Sequence, residues 1–254
     1  MAYAHRDSSF GWSQSGSLPS GVKWLLITNV AVFVLYFFAA GTGMEDIFRP
    51  LGLVPRSVVE SFALWQLVTY MFLHDPNSLW HILLNMLALW MFGMELEGTW
   101  GTRRFLQYYF WCGIGSGLIV VAANWVAGTP DIRLIGASGA IYGLLLAFGV
   151  LFPNQMVLFA FIFPMKARYF VMILGAIAFL STIRSPGGPV SHLAHLSGML
   201  FGLAFLKSRG LSKAMRSDPF WRMRKAYRDW QFQRNKRKFN LYLKKKSDQD
   251  KWVH

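Results

Sequence analysis

Cysteine is almost absent from this chain: Cys112 is the one example, and it sits in an apolar run. A disulfide within the chain is excluded, and a small buried thiol is the role left to it. Charge is scarce too, with 15% of residues Asp, Glu, Lys or Arg against 54% hydrophobic. Between Asp131 and Asp218 there is not one acidic residue. No His-Glu-x-x-His occurs, so the usual helical zinc-protease pattern is missing. The N-terminus does not read as a cleavable signal. Its first 20 residues are polar and rich in Ser and Gly, and the apolar run from Val22 closes on no small-residue cleavage pattern.

What is present fixes the class. A mean hydropathy of +0.33 is rare for a soluble domain of this length. Trp and Phe are abundant, as in the aromatic belts of membrane proteins. From Lys207 onward there are 16 Lys or Arg against four Asp, so the tail carries +12 of the net charge of +14. The chain divides into a polar, disordered cytoplasmic N-terminus (1–20), a membrane domain (21–207) and a basic cytoplasmic tail (208–254). That tail interleaves Phe220, Trp221, Tyr227, Trp230, Phe232 and Phe239 with its basic residues, a pattern also met in nucleic-acid binders. Beside a cytoplasmic membrane face, anionic lipid is the simpler partner, and no nucleic acid is expected.

The apolar runs predict an all-α membrane protein of six spans: Val22–Ala40, Leu79–Leu96, Phe105–Val126, Leu134–Leu151, Ala167–Ile183 and Val190–Leu206. The connection from Gly41 to Ser78 is too apolar and aromatic for a solvated loop, and reads as partly embedded at the interface. Gln155–Pro164 reads as a re-entrant piece or the lead into the fifth span, and Ser185–Pro189 as a turn. Arg103, Arg104, Lys166, Arg168 and the basic tail favour the side that holds both termini as the cytoplasm.

Spans two, four and six start from the outer side, and each carries polar groups near that start. They are His81 and Asn85, then Ser138, then His192 and His195. Ionisable groups buried in lipid are costly and mark function. Ser138 stands about one turn into its span between Gly136 and Gly139. Small residues there, with Gly143, would equally serve helix packing alone. His195 shares a helical stripe with Gly198 and Gly202, a surface that permits close approach to another helix. Packing span four on span six brings the Ser138 hydroxyl towards the His195 ring, the minimal activated nucleophile. A carboxylate to orient that ring would have to come from Asp75, Glu95 or Glu97. A Ser–His dyad is therefore the reading, its ring held by packing on Tyr142. His81, the Asn85 amide and the Ser138 backbone N–H are the donors available to an oxyanion.

At these residues the chain resembles the rhomboid family of intramembrane serine proteases. The resemblance rests on Gly136-Ala-Ser-Gly139, on His81-Ile-Leu-Leu-Asn85, and on Ala194-His195-Leu-Ser-Gly198-Met-Leu-Phe-Gly202, in this order across about residues 22–206. It implies a six-helix rhomboid-like bundle with a partly embedded first loop, Ser138 as nucleophile and His195 as base. It further implies His81 and Asn85 as oxyanion donors, Tyr142 stacked on the base, and an ion pair of Glu97 with Arg103 or Arg104. Trp65-Gln66 departs from the Trp-Arg that many members carry.

The implied activity is a serine endopeptidase acting on membrane-protein segments, without cofactor or metal. The implied setting is a multi-pass place in a bacterial inner (plasma) membrane. His81, His192 and His195 as metal ligands lack a nearby carboxylate. A transporter's paired broken half-helices are not evident. A rhomboid-like protein that has lost catalysis and only binds membrane clients is the alternative; such proteins typically lack the serine or the histidine. His74 and His192 read as structural or interfacial.

Overall fold

The computed structural model describes residues 18–159, 162–184 and 191–208. It divides the chain into Met1–Lys207 and Ser208–His254, and of the second unit only Ser208 is among the described residues. The expectations for residues 1–17, for the Ser185–Pro189 turn and for the basic tail lie outside the described residues.

Among the described residues, three helices are long and apolar enough to cross a membrane: α1 (Ser20–Gly41), α4 (Leu79–Trp100) and α5 (Thr102–Val126). Between α1 and α4 the chain forms two 3-10 turns (Glu45–Leu51 and Tyr70–Phe72) and two short helices, α2 (Pro55–Glu60) and α3 (Gln66–Thr69). Beyond α5 come α6 (Ser138–Leu151), the strands β1 (Met156–Phe159) and β2 (Phe163–Lys166), α7 (Ala167–Arg184) and α8 (Ser191–Lys207). The antiparallel β1–β2 pair corrects the all-α expectation for this stretch. Pro153 and Asn154 end α6, and the β-branched and aromatic run that follows suits a strand better than a helix.

The fourth predicted span is corrected as well. Leu134 to Ala137 are not helical, so Ser138 is the first residue of α6 and not one turn into it. Two contacts hold Leu134 and Gly136 out of the helix. Leu134 exchanges backbone hydrogen bonds with Leu53 at 2.9 and 3.0 Å, and the Gly136 N–H donates to the Tyr70 carbonyl at 2.9 Å. Gly136 has φ +117°, a conformation that side chains other than glycine's rarely adopt.

Glu97 was expected to pair with an arginine. Its carboxylate instead accepts the Gly21 and Val22 N–H groups at 2.8 and 2.7 Å, and the Thr102 hydroxyl at 2.6 Å. A helix start presents unpaired N–H groups and the positive end of its dipole, so a buried carboxylate from α4 is a natural cap for α1. Arg104 lies over the Trp100 ring, 4.9 Å from its centroid.

Neutral side chains hold the first connection in shape. Buried Gln66 accepts the Val54 N–H at 2.9 Å and donates to the Pro50 carbonyl at 3.2 Å, which also takes the Trp65 indole N–H at 3.0 Å. Thr69 donates to the Leu51 carbonyl at 2.7 Å. On the surface, Arg56 reaches both carboxylate oxygens of Asp131, at 2.7 and 3.1 Å, tying α2 to the segment before Ser138. That hydrogen-bonded guanidinium holds the Asp131 carboxyl below its ordinary range.

Candidate active site

The site lies where α4, α6 and α8 converge. Ser138 Oγ and His195 Nε2 are 2.9 Å apart, although 57 residues separate them in sequence. The Tyr142 ring, one turn beyond Ser138, stacks on His195 at 4.1 Å between centroids with the planes 4° from parallel. His195 therefore has its face covered and one ring nitrogen on the serine. Among the described residues no carboxylate bonds to this ring.

Glycine makes the approach of α6 and α8 possible. A Cβ on Gly198 would run into the backbone carbonyl of Gly139. One on Gly202 would meet the Tyr108 hydroxyl and, at 3.4 Å, the Gly143 Cα. Two further hydrogen bonds come from α5. Ser116 donates to the Ala194 carbonyl at 2.8 Å, one residue before His195, and Tyr108 donates to the Gly143 carbonyl at 2.7 Å. The sequence reading missed Ser116, because a buried serine on an apolar helix carries no local mark of its partner.

His81 and Asn85 stand one turn apart on α4. The Asp75 N–H donates to His81 Nδ1 at 3.4 Å, which leaves the proton of the neutral ring on Nε2. Nε2 faces the serine loop: a Cβ on Gly136 would come within 2.9 Å of it. The Asn85 amide donates one N–H to the His81 carbonyl at 2.6 Å and keeps its second. At the start of α6 the N–H groups of Ser138, Gly139 and Ala140 have no acceptor within the helix. His81 Nε2–H beside Gly136 and the backbone N–H groups that open α6 are thus donors near Ser138, the kind of group that acyl transfer needs for the oxyanion forming on a substrate carbonyl oxygen.

His192 does not join the pair; its ring stands edge-on to His195 with centroids 6.1 Å apart. His74, in the connection before α4, is fully buried and packs edge-on against His81 at 5.0 Å. Neither of its ring nitrogens has a hydrogen-bond partner among the described residues. Burial, helped by the neighbouring His81, pushes its pKa down to about 3. The sign follows from linkage. The unfolded chain takes up a proton near pH 6.5 and the folded chain does not, so stability falls as pH drops from about 6.5 towards 3. The expected slope is up to about 1.4 kcal/mol per pH unit in unfolding free energy. Thermal melts in detergent across this range should show it, and His74→Phe should flatten it.

Comparison with known proteins places the chain in a family. Residues 61–209 match the family model for the rhomboid domain, more than half of the chain. The chain is an integral membrane protein and belongs to the rhomboid family. It is 31% identical over 134 residues to Rhomboid protein 1, mitochondrial, of Saccharomyces cerevisiae, covering 51% of this chain and 38% of that one. It is 32% identical over 146 residues to the putative rhomboid protease YdcA of Bacillus subtilis, covering 56% and 66%. To the rhomboid protease GlpG of Haemophilus influenzae it is 29% identical over 175 residues, covering 68% and 84%. The matches thus span about two fifths and two thirds of the first two relatives' own lengths.

Proposed function

We propose that this chain is an intramembrane serine endopeptidase that cleaves transmembrane or membrane-proximal segments of other membrane proteins. The observation that carries this reading is the 2.9 Å contact of Ser138 Oγ with His195 Nε2 under a parallel Tyr142 ring. The relatives named as proteases support it.

In this mechanism Ser138 Oγ attacks the scissile carbonyl carbon while its proton passes to His195 Nε2. The oxyanion accepts hydrogen bonds from the Ser138 N–H, His81 Nε2–H and the free N–H of Asn85. His195 then returns the proton to the leaving nitrogen as the C–N bond breaks, which leaves an acyl-enzyme on Ser138. Water attacks that ester with His195 as base and regenerates the serine. Tyr142 fixes the ring plane where a carboxylate, the third member of a triad, would otherwise do so.

The membrane setting we propose has six spans, an embedded first connection and both termini in the cytoplasm of a bacterial cell. A helix of 14 residues such as α6 is only about 21 Å long. The hydrocarbon core is about 30 Å thick, so Ser138 would lie roughly 9 Å below the outer surface. The basic tail would rest on anionic lipid of the inner leaflet, leaving the opposite leaflet to the chemistry. The rival is a client-binding protein without catalysis. A serine-directed fluorophosphonate separates the two: the parent should label and Ser138→Ala should not, and an unlabelled parent would sink the enzyme reading.

Removal of a side-chain donor should act on kcat more than on KM, because the oxyanion exists only as charge develops. With the Ser138 N–H and the other side chain remaining, His81→Ala and Asn85→Ala should each lose up to about 10²-fold in kcat. Both should still label with fluorophosphonate, more slowly than the parent. Complete loss in His81→Ala, with chelator inhibition of the parent that zinc reverses, would replace this mechanism with a metal one.

A further inference from the structure

Among the described residues, nothing covers one face of the β1–β2 hairpin. Its register pairs Met156 with Lys166 and Leu158 with Pro164, and side chains alternate between faces along each strand. Met156, Leu158, Pro164 and Lys166 therefore share one face, and all four are exposed. Val157, on the other face, is buried. Near the turn, Ile162 and Phe163 are 70% and 61% exposed. The polar end of the hairpin is its base, with Lys166, then Arg168 against the exposed Tyr169 ring, 4.8 Å from the centroid. From Leu134 to Ile183 the chain carries two charges, Lys166 and Arg168, and both are basic.

Geometry limits what this face can meet. A strand needs about 9–11 residues to cross a bilayer, and these have four each. Open strand edges with unpaired N–H and C=O groups cannot sit in hydrocarbon, but can sit at headgroup level, where water and lipid oxygens satisfy them. The hairpin leads straight from the end of α6 into α7. The Ala167 N–H donates to the Gln155 carbonyl at 2.8 Å and the Arg168 N–H to the Pro153 carbonyl at 3.3 Å, closing its base. Apolar side chains towards the tip, with cations and an aromatic ring at the base, are the arrangement of an interfacial anchor.

We propose that the Met156–Lys166 hairpin is an interfacial membrane anchor that buries its Met156–Leu158–Pro164 face among lipid chains and sets Lys166 and Arg168 on anionic headgroups. It holds the hairpin end of α6 at one surface of the bilayer.

The test uses the full chain in vesicles of phosphatidylcholine mixed with phosphatidylglycerol. Spin labels are placed by Leu158→Cys or Ile162→Cys, with Ile177→Cys on the exposed side of α7 as the lipid reference. The parent chain, whose Cys112 is buried, controls for background labelling. Both hairpin labels should collide with oxygen more than with an aqueous nickel complex, at a depth shallower than that at Ile177. Leaving out phosphatidylglycerol, or combining Lys166→Gln with Arg168→Gln, should shift the embedded-to-withdrawn equilibrium by roughly 30-fold, the effect of two basic residues near an anionic surface. Free access of nickel to both hairpin labels overturns the proposal, as does a depth indifferent to both charge changes. Dipolar broadening that vanishes on dilution with unlabelled chain also overturns it, since a second copy would then cover the face.

Discussion

Ser138→Ala should reduce cleavage of a single-span model substrate by roughly 10⁴-fold or more, and His195→Ala should do the same. Each change removes one end of the 2.9 Å contact, and neither end can act without the other. A hydroxyl without its base is a poor nucleophile at neutral pH, and the base without the hydroxyl has nothing to activate. The double variant should therefore be no slower than either single one, because members of one catalytic unit are non-additive. Rates of substrate cleavage in proteoliposomes, with folding followed by thermal melts, check this. Substantial turnover by Ser138→Ala would remove the serine mechanism, and full activity in His195→Ala would move the base to His192.

The second large effect is expected at a residue with no side chain at all. Gly198→Ala places a methyl group against the Gly139 carbonyl, where two backbones already touch. Backbone cannot turn aside as a flexible side chain can, so α6 and α8 must separate. Overpacking of this kind costs about 1–3 kcal/mol in stability. The same two helices carry Ser138 and His195, so the displacement lengthens their contact as well. A misplacement of about 1 Å can cost about 10²-fold in rate, which is the loss expected for Gly198→Ala; the bulkier Gly198→Val should be inactive. Melting temperature and fluorophosphonate labelling rate, read on the same preparation, should fall together. An alanine variant that melts lower but labels at the parental rate would show that the helices separate without moving the pair.

The first connection bears on the same chemistry at longer range. The chain lacks the arginine that many family members carry after Trp65, yet its loop is hydrogen-bonded through Gln66, Trp65 and Thr69 to the carbonyls and N–H of residues 50–54. Within that segment Leu53 pairs with Leu134, and so with the stretch that leads to Gly136 and Ser138. A neutral amide can do this because the atoms it must satisfy are backbone groups, which need one donor and one acceptor rather than a charge.

By itself the sequence determined the membrane class, the approximate helix positions and the short set of polar residues from which a site could be drawn. These are local properties. An apolar run of sufficient length has few other uses in water, and a serine or histidine inside one is too costly to be incidental. The stripe of His195, Gly198 and Gly202 was legible for the same reason, since helical periodicity alone puts those residues on one side. Only the tertiary structure decided which groups meet. The Ser138–His195 contact, the Tyr142 stack and the grip of Ser116 on Ala194 join residues 57, 53 and 78 apart in sequence, and no local pattern encodes a distance across such gaps. The start of α6 was misjudged because Leu134 to Ala137 are as apolar as a helix requires. They stay out of the helix because Leu53 and Tyr70 offer Leu134 and Gly136 backbone partners from 81 and 66 residues away. Glu97 shows the same division: its charge and its place near the end of α4 were plain, but a carboxylate accepts equally from a guanidinium or from a helix N-terminus. The packing of α1 beside α4 made the choice, because the free N–H groups of Gly21 and Val22 arrive within 2.8 Å of its oxygens.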